Sequence, residues 1–458
     1  MKINYKNILK SFLVLSVIAG VGTGCKKFLE APPLNSTTKE VAIADEAGLR
    51  TILVGSYQIV GGENMFGGKI QAVSEMLADQ LNGVLLNGDF GEFYGRKSSF
   101  NGDYKKNMYV GMYQGVYRAN IVLENLDKAA ATTKDNIQGQ AKFIRAITHF
   151  EIVKLFAQPF GFSADNSHAG IPLRLNSNIE SLPRSTVKQV YDQIIADLKD
   201  AETKLPEDNG GFATRWAAKA LLAKVYFQMN DFTNAYLYAN QVIASNKFTL
   251  DTYASRFSET GSKESIFKII NTRGVYEPGG ELRSQFRSEA NLPTLRFTTD
   301  FYNSVNTATD TRKALYDNVK YPGFVVTKKY NSERFELPVL YFTEMKLIRA
   351  ESAAETGTNL TIGAQDINDI LNRAYAGSRS IPLASTASLI KSNARFERSI
   401  EFAGEGNRLA EIKRIGAKGE NIDKRGALWN CAGLVLQFPN EELASNINFI
   451  ANPEGGCN

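Results

Sequence analysis

Histidine and cysteine are scarce in this chain of 458 residues, which contains two histidines and three cysteines. With His149 and His168 as its only histidines, the chain cannot form a histidine-rich metal site or an HExxH zinc helix. It also has no GxSxG, GxGxxG or DxDxDG motif. His149 stands beside Phe150 in a helical pattern, so we expect it in the core. No catalytic residue, metal or cofactor is therefore predicted.

An excess of charge of one sign is also missing. Lysine and arginine number 53 against 48 acidic residues, for a formal charge of +5. Three of these lysines, Lys2, Lys6 and Lys10, lie in a segment that we expect to be removed, which leaves the mature chain nearly balanced. A nucleic-acid partner is therefore not indicated. The hydrophobic content of 43% predicts a globular protein.

The N-terminus has the pattern of a secretory signal. Its three lysines precede an apolar run over residues 11–21, which is too short to span a bilayer. The small residues Gly22, Thr23 and Gly24 then lead to Cys25, as in a lipobox. We expect cleavage before Cys25 and lipidation of its thiol; an ordinary signal peptide with a chance cysteine is the alternative.

These features divide the chain into three parts. Residues 1–24 are the predicted lipoprotein signal peptide, residues 25–38 a lipidated tether, and residues 39–458 a single domain. Outside the cytoplasm the two remaining thiols, Cys431 and Cys457, are predicted to form a disulfide. Closing that loop would contribute about 3 to 4 kcal/mol in the chain-entropy model, and two free thiols are the alternative.

Residues 213–246 carry two apolar stripes at helical spacing, joined by a turn at which Asp231 is placed to cap the second helix. Small residues such as Ala223 and Ala235 permit close approach, with the spacing of a tetratricopeptide helix pair. One pair cannot bury its own apolar face, so others must pack beside it. We predict a mainly α-helical body of about four such pairs with loop and short-strand insertions.

The same periodicity recurs along the chain. It predicts helices over residues 45–60, 74–80, 112–128, 137–158, 187–201, 341–355, 364–376 and 389–402. Residues 257–338 interrupt the pattern with the β-branched and aromatic runs SIFKIIN, PTLRF and FVVTKKY. We expect these runs to form short strands or loops that lie over the helical body.

Four glutamates, Glu397, Glu401, Glu405 and Glu411, cluster near Arg398, Arg408 and Arg414. A carboxylate pair can hydrolyse a glycosidic bond, so a glycosidase is one hypothesis for this motif. Acid beside base on a helix face is more typical of surface ion pairs, and that is our interpretation.

Glycine-rich segments with interleaved aromatics are the better candidate site. Residues 61–69 and 82–104 combine nine glycines with several phenylalanines and tyrosines, and residues 272–287 form a second candidate loop. Flexible backbone and exposed rings suit the C–H faces of sugars or the side chains of peptides. Both tryptophans lie outside these loops. The predicted ligand-binding residues are Phe66, Phe90, Phe93, Tyr94, Arg96, Tyr276, Arg283 and Phe286. The alternative is that half of the aromatics in these loops hold the loops to the core.

Several blocks of sequence, in order, resemble the SusD/RagB family of outer-membrane nutrient-binding lipoproteins. They are the lipobox with CKKFLEAPP, then SEMLADQ, MYVGMYQGVYRAN, GQAKFIRAITHFEIVKLF, LPRSTVKQVYDQIIADLKDA, YFTEMKLIRAESAAETG, RFERSIEFAGEGNRLAEIKR and FPNEELASNINFIANP. Tyr113 and Asn120 fit the helix signature of the family. Tyr109 stands where many members have Trp, and Ala451 where a Gln commonly precedes Asn-Pro.

This resemblance implies a receptor that is lipid-anchored at the outer membrane and is not an enzyme. It implies a SusC-like TonB-dependent transporter as partner, and a ligand that is an oligosaccharide or, second, a peptide. Acidic residues after the lipidated cysteine favour export to the cell surface, and this chain has only Glu30 there beside Lys26 and Lys27. A helical-repeat envelope scaffold that binds no nutrient is the alternative from another class.

Overall fold

Helices dominate the computed structural model, as the sequence predicts. The structure describes residues 43–97, 99–420 and 423–457. The predicted signal peptide, Cys25 and most of the chain up to the first helix lie outside the described residues. None of the described helices is both long and apolar enough to cross a membrane.

From residue 43 onward, the N-terminal part contains five helices: α1 (Glu46–Gly61), α2 (Lys69–Leu77), α3 (Gly88–Tyr94), α4 (Asp103–Glu124) and α5 (Lys134–Phe156). α1 begins at Asp45, whose carboxylate accepts a hydrogen bond from Gly48 N at 2.9 Å. α4 packs between α1 and α5. It begins nine residues before the predicted start, because the aromatic and polar residues there have no simple apolar stripe.

The next three helices are α6 (Val187–Lys204), α7 (Arg215–Gln228) and α8 (Phe232–Ala244). Thr186 and Gln189 form a capping box at the start of α6, and Asp231 caps α8 through Asn234 N at 3.1 Å, as predicted. Each helix packs against the next, from α5 to α8. The predicted helix pair is thus part of a continuous layer.

Residues 245–341 carry most of the short strands. Two short helices lie in this stretch, α9 (Gly280–Phe286) and α10 (Thr299–Val305). The strands are β1 (Leu81–Asn82), β2 (Ser265–Ile269), β3 (Arg296–Phe297), β4 (Tyr316–Asp317), β5 (Val326–Thr327), β6 (Leu337–Tyr341), β7 (Asp423–Lys424) and β8 (Ala427–Leu428). They form antiparallel pairs, β1 with β3, β2 with β6, β4 with β5, and β7 with β8. Each of the three β-rich runs found in the sequence contributes to a strand.

The C-terminal helices are α11 (Phe342–Thr356), α12 (Leu360–Ala374), α13 (Ala387–Glu401), α14 (Arg408–Ala417) and α15 (Asn440–Ser445). α11 packs against α8, α12 and α13, and Leu347, Ile367 and Ile390 belong to a second apolar cluster beneath these helices. Cys431 and Cys457 are joined by a disulfide, with Cα atoms 5.3 Å apart.

Candidate functional site

The predicted binding loops surround α2, the helix that the sequence placed at residues 74–80. The helix begins earlier, at Lys69, and all nine of its residues are buried. Gly68, which precedes it, has a φ of 150°, and a Cβ there would lie 2.4 Å from Leu282 N. Only glycine therefore lets the two loops approach this closely.

The separate candidate loops also contact each other. Leu282 N donates a hydrogen bond to Gly67 O at 3.0 Å. The Tyr104 hydroxyl donates to Glu281 Oε1 at 2.8 Å, and the Lys69 ammonium lies 4.8 Å from the centroid of the Tyr104 ring. Segments that are 177 or more residues apart in sequence thus pack directly against each other.

Four of the eight predicted ligand residues are buried, which corrects the expectation that they present exposed groups. Phe286 has no exposed surface, and Phe66 and Phe93 are also in the core. Phe286 packs against Phe297 and Tyr330, with ring centroids 6.5 and 5.5 Å away. A ring enclosed in this way cannot stack on a ligand in this conformation.

Arg96, the fourth buried residue, stabilises the C-terminus of α2. Its Nε donates to Leu77 O and its Nη2 to Ala78 O, both at 2.9 Å. Arg425 donates to Met76 O and Ala78 O from the same side. The last carbonyls of a helix carry partial negative charge and lack intrahelical donors, so two guanidinium groups satisfy them. Arg96 is therefore a structural residue in this conformation.

Tyr94 is half-buried, and its ring lies in close contact with two other parts of the chain. The Arg425 guanidinium lies 3.7 Å from the ring centroid. A Cβ on Gly83 would lie 2.0 Å from Tyr94 Cε1, so the backbone at Gly83 also lies against the ring. Phe90, also half-buried, packs edge-on against Tyr104 at 5.0 Å. The rings in residues 82–104 thus mainly hold the loop to the body.

Arg283 and Tyr276 are the predicted residues that remain partly exposed on the second loop. The Arg283 guanidinium lies 5.3 Å from the Phe335 ring centroid and donates to Pro278 O at 3.1 Å. Tyr276 donates its hydroxyl to Gln58 O at 2.8 Å, and burial of this hydroxyl raises the pKa of Tyr276. Its ring lines an open cleft of about 260 Å³.

We call this cleft the aromatic cleft. Its walls come from α1, from the segment before α7 and from the end of β2, and its lining includes Val54, Tyr57, Phe212, Lys268, Ile270, Thr272 and Tyr276. The Phe212 and Tyr57 ring centroids are 5.1 Å apart. Tyr57 is fixed from below, because its hydroxyl donates to Gln140 Oε1 and accepts from Ala213 N, each at 3.0 Å. The floor is therefore rigid.

Phe212 was not among the predicted site residues, although 38% of its surface is exposed in the cleft. It follows Gly210 and Gly211, which both have positive φ values. This is the same combination of glycines and an aromatic residue that marked the longer loops. The signal was present in the sequence, but the segment is short and lies between two helices.

The glutamate motif differs most from its prediction. Arg312 and Glu401 are both buried, and Arg312 contacts Asp310 at 2.8 Å, Glu397 at 2.7 Å and Glu401 at 3.1 Å. Arg373 contacts the other oxygen of Glu401 at 2.7 Å. The prediction of surface ion pairs is therefore wrong: these groups form a buried ion network.

Burial alone would raise the pKa of Glu401. The guanidinium groups of Arg373, Arg312 and Arg256 outweigh burial and lower the pKa to about 2. Such a carboxylate is ionised and fully engaged, which suits a structural role. In the described part of the chain, no group of three or more His, Cys, Asp or Glu side chains is arranged to hold a metal ion. His149 is buried, as expected.

The sequence matches two models of one family. Residues 27–227 match a SusD-like model described as "Starch-binding associating with outer membrane", and residues 279–442 match the SusD family model. The chain is similar to SusD-like protein P2 of Formosa agariphila, at 25% identity over 94% of this chain and 97% of that protein. It is also 24% identical to SusD-like protein P25 of that organism, but the match covers only 53% of P25.

Solved structures share the fold almost from end to end. A SusD superfamily protein of Bacteroides thetaiotaomicron has a TM-score of 0.78 at 20% identity and covers 90% of this chain and 100% of its own. A protein of Bacteroides vulgatus described as a putative sugar binding protein has a TM-score of 0.78 at 23% identity, with 89% and 98% covered. Surface glycan-binding protein A of Bacteroides uniformis has a TM-score of 0.73 at 18% identity, with 89% and 99% covered. The solved structures show the shared fold, and the two family-model matches, which together span most of the sequence, show that the chain belongs to the SusD/RagB-like family.

Proposed function

We propose that this protein is a lipid-anchored receptor of the outer membrane, on its extracellular face, that binds an oligosaccharide and delivers it to a SusC-like TonB-dependent transporter. Family membership supports the role, and two of the similar structures carry names of sugar- or glycan-binding proteins. The protein acts by binding and release, without covalent chemistry.

The aromatic cleft is the proposed ligand site, and its carrying observation is the pair of accessible rings at Phe212 and Tyr276. Ring faces of this kind suit the C–H face of a pyranose, from which they displace water. Thr272, Gln58 and Lys268 lie at the same cleft and can hydrogen-bond to sugar hydroxyl groups. The rigid floor under Tyr57 reduces the entropy lost on binding.

A peptide is the second candidate ligand, because the lining also contains Val54, Ile269 and Ile270. These aliphatic side chains would accept an apolar peptide side chain as readily as a sugar face. A competition experiment distinguishes the two ligands. If a sugar is the physiological ligand, a second sugar should displace the bound oligosaccharide, and a peptide pool at the same concentration should not.

Ring removal in the cleft tests the site. We expect Phe212→Ala and Tyr276→Ala each to weaken oligosaccharide binding about tenfold, measured by calorimetric titration. Phe396→Ala is the matched control, since Phe396 is 39% exposed, Phe212 is 38% exposed, and Phe396 lies on α13 away from the cleft. Equal affinities for all three variants and the wild type would contradict the site. Failure of the wild type to bind any glycan or peptide would favour the envelope scaffold.

The anchor and the partner are tested separately. Cys25→Ala is expected to move the protein from the membrane fraction to the soluble fraction, because the lipid attachment is lost. A variant that still sediments with membranes would show that Cys25 is not the anchor. An affinity-tagged wild-type chain should co-purify with an outer-membrane β-barrel; recovery of the chain alone after mild crosslinking would count against the transporter partner.

A further inference from the structure

A second concave surface, which we call the tyrosine groove, follows α4 on the side of the segment at residues 172–180. It has a volume of about 430 Å³. Tyr109, Tyr113 and Tyr117 line it and recur every four residues; Tyr109 is buried, and Tyr117 is the exposed ring. This spacing places them on one helix face, about 6 Å apart along the axis. The sequence indicated only a helix signature here and no ligand site.

One wall of the groove is held by a buried polar network. Asn120 Nδ2 donates to Arg174 O at 3.1 Å and to Asn176 O at 2.9 Å. Asn120 Oδ1 accepts from Arg145 at 2.9 Å, and Arg145 makes two hydrogen bonds of 2.7 Å to Asp197. Each member satisfies the next, so the wall is fixed before any ligand arrives.

Two further contacts hold the same segment at both ends. The Tyr113 hydroxyl donates to Pro172 O at 2.8 Å. Ser177 donates both its backbone N–H and its hydroxyl to the Glu124 carboxylate at 2.5 Å. A surface segment without regular structure would ordinarily be mobile. Here the segment at residues 172–180 is anchored to α4 along its length. Such anchoring is expected of a wall of a binding site, whereas a loop that only connects two helices does not need it.

The groove also contains polar groups that the fold does not use. Among the described residues, the side-chain amides of Gln114 and Asn178 and the hydroxyl of Tyr117 have no hydrogen-bond partner. The Arg174 guanidinium lies 5.9 Å from the Tyr113 ring centroid and uses one nitrogen, which donates to Glu180 O. The Tyr117 ring is 40% exposed. Donors and acceptors thus surround an accessible aromatic face.

We propose that the tyrosine groove is a second carbohydrate-binding site, for a neutral oligosaccharide. A pyranose presents an apolar face and a rim of hydroxyl groups, which matches the exposed Tyr117 ring bordered by planar amides and a guanidinium. Arg174 and Glu442 carry opposite charges in the same groove, so a net charge on the ligand gains little. The ligand class rests on the proposed function; the location of the site does not.

A peptide fits the groove less well than a sugar. Its floor is a helix, whose backbone donors and acceptors are paired within α4. An extended peptide that bound here would leave most of its own amide groups without backbone partners, in contrast to a peptide that adds to a sheet edge. Protein docking is therefore an outcome of the test and not the proposal.

The test uses the full-length protein in detergent and a panel of malto-, cello-, xylo- and manno-oligosaccharides. We expect Tyr117→Ala and Arg174→Ala each to weaken one of two binding events about tenfold by calorimetry. Phe396→Ala, with 39% exposure against 40% for Tyr117, should bind as the wild type does. Melting temperatures should fall by no more than about 2–4 °C, because Tyr117 is 40% exposed and Arg174 is half-buried.

Other outcomes separate the two sites. If Tyr117→Ala and Arg174→Ala bind every sugar like the wild type while Phe212→Ala loses affinity, the groove is overturned and the proposed function stands. If only the groove variants lose affinity, the groove stands and the ligand site of the proposed function is wrong. If the wild type binds no sugar of the panel, both carbohydrate sites are overturned. The same holds if a protein partner protects Tyr117 and no sugar binds.

Discussion

In two regions of this protein, burial is the opposite of what the residue types suggest. Around Arg312 and Glu401, groups that carry full charges lie in the dry interior beside α12 and α13. Around α1 and β2, the aromatic rings of Phe212 and Tyr276 line an open cleft. The comparison teaches that burial follows from the partners a side chain meets in the fold. Its own polarity is a weaker guide.

The charged region is tolerated inside because no charge is left alone. Glu401 contacts Arg312, Arg373 and Arg256, and Tyr253 donates to it at 2.7 Å. Moving one ion out of water costs several kcal/mol, and only close opposite charges and hydrogen bonds offset that cost. A network of this kind is sensitive to the loss of one member.

Removing Glu401 should have the largest effect. Glu401→Ala leaves three guanidinium groups without their shared carboxylate, so we expect a loss of about 4–5 kcal/mol in the free energy of unfolding, measured by urea titration. Asp192→Ala is the control, because the exposed Lys188–Asp192 pair should be worth less than about 1 kcal/mol. Similar losses for the two variants would show that the buried network is not special.

The aromatic side of the comparison is tested by two phenylalanines. Phe286→Ala removes a fully buried ring and should lower the free energy of unfolding by about 3–4 kcal/mol. Phe212→Ala removes a ring that is 38% exposed and should cost about 1 kcal/mol, while it weakens ligand binding. Thermal unfolding and sugar titration of both variants measure these effects. If Phe286→Ala weakened binding without loss of stability, the distinction between a structural ring and a binding ring would be wrong.

The sequence predicts the helical body well, because apolar periodicity and caps are local signals. Asp45 and Asp231 both cap the helices that their positions indicate. The buried ion network has no such signal. Glu397 and its partner Arg312 are 85 residues apart, and only the folded chain brings them together. Local spacing on a helix therefore favoured surface pairs.

The site is predicted in part for a related reason. The glycine-rich loops do meet, and Tyr276 lines a cleft. Phe286 is buried because Phe297 and Tyr330 enclose it. Phe297 lies in a two-residue strand and Tyr330 in a turn, and such short segments have no periodicity to indicate their position. Exposure of a loop aromatic depends on such distant contacts, so the residue type alone identifies the region but not the contact residues.

Glu75 gives the smallest and sharpest test, because it is a buried carboxylate without the partners of Glu401. Gly406 N donates to its Oε1 at 2.8 Å, and its Oε2 has no hydrogen-bond partner among the described residues. Burial raises the pKa of Glu75 to about 7, whereas the pKa of Glu401 is lowered to about 2. The two carboxylates should therefore impose opposite pH dependences on stability.

For Glu75 the folded state holds its proton more tightly than the unfolded state, whose pKa is near 4.5. Stability is therefore lost as the pH rises from about 4.5 to 7. Glu75→Gln removes this loss, so its advantage over the wild type should grow by about 3 kcal/mol between pH 4 and pH 8 in urea titrations. The contribution of Glu401 runs the other way and is lost as the pH falls below about 4.5 toward 2. Parallel plots of stability against pH for Glu75→Gln and the wild type would mean that the cost of burying the Glu75 carboxylate is offset as fully as that of Glu401. The contrast between the two carboxylates would then be wrong.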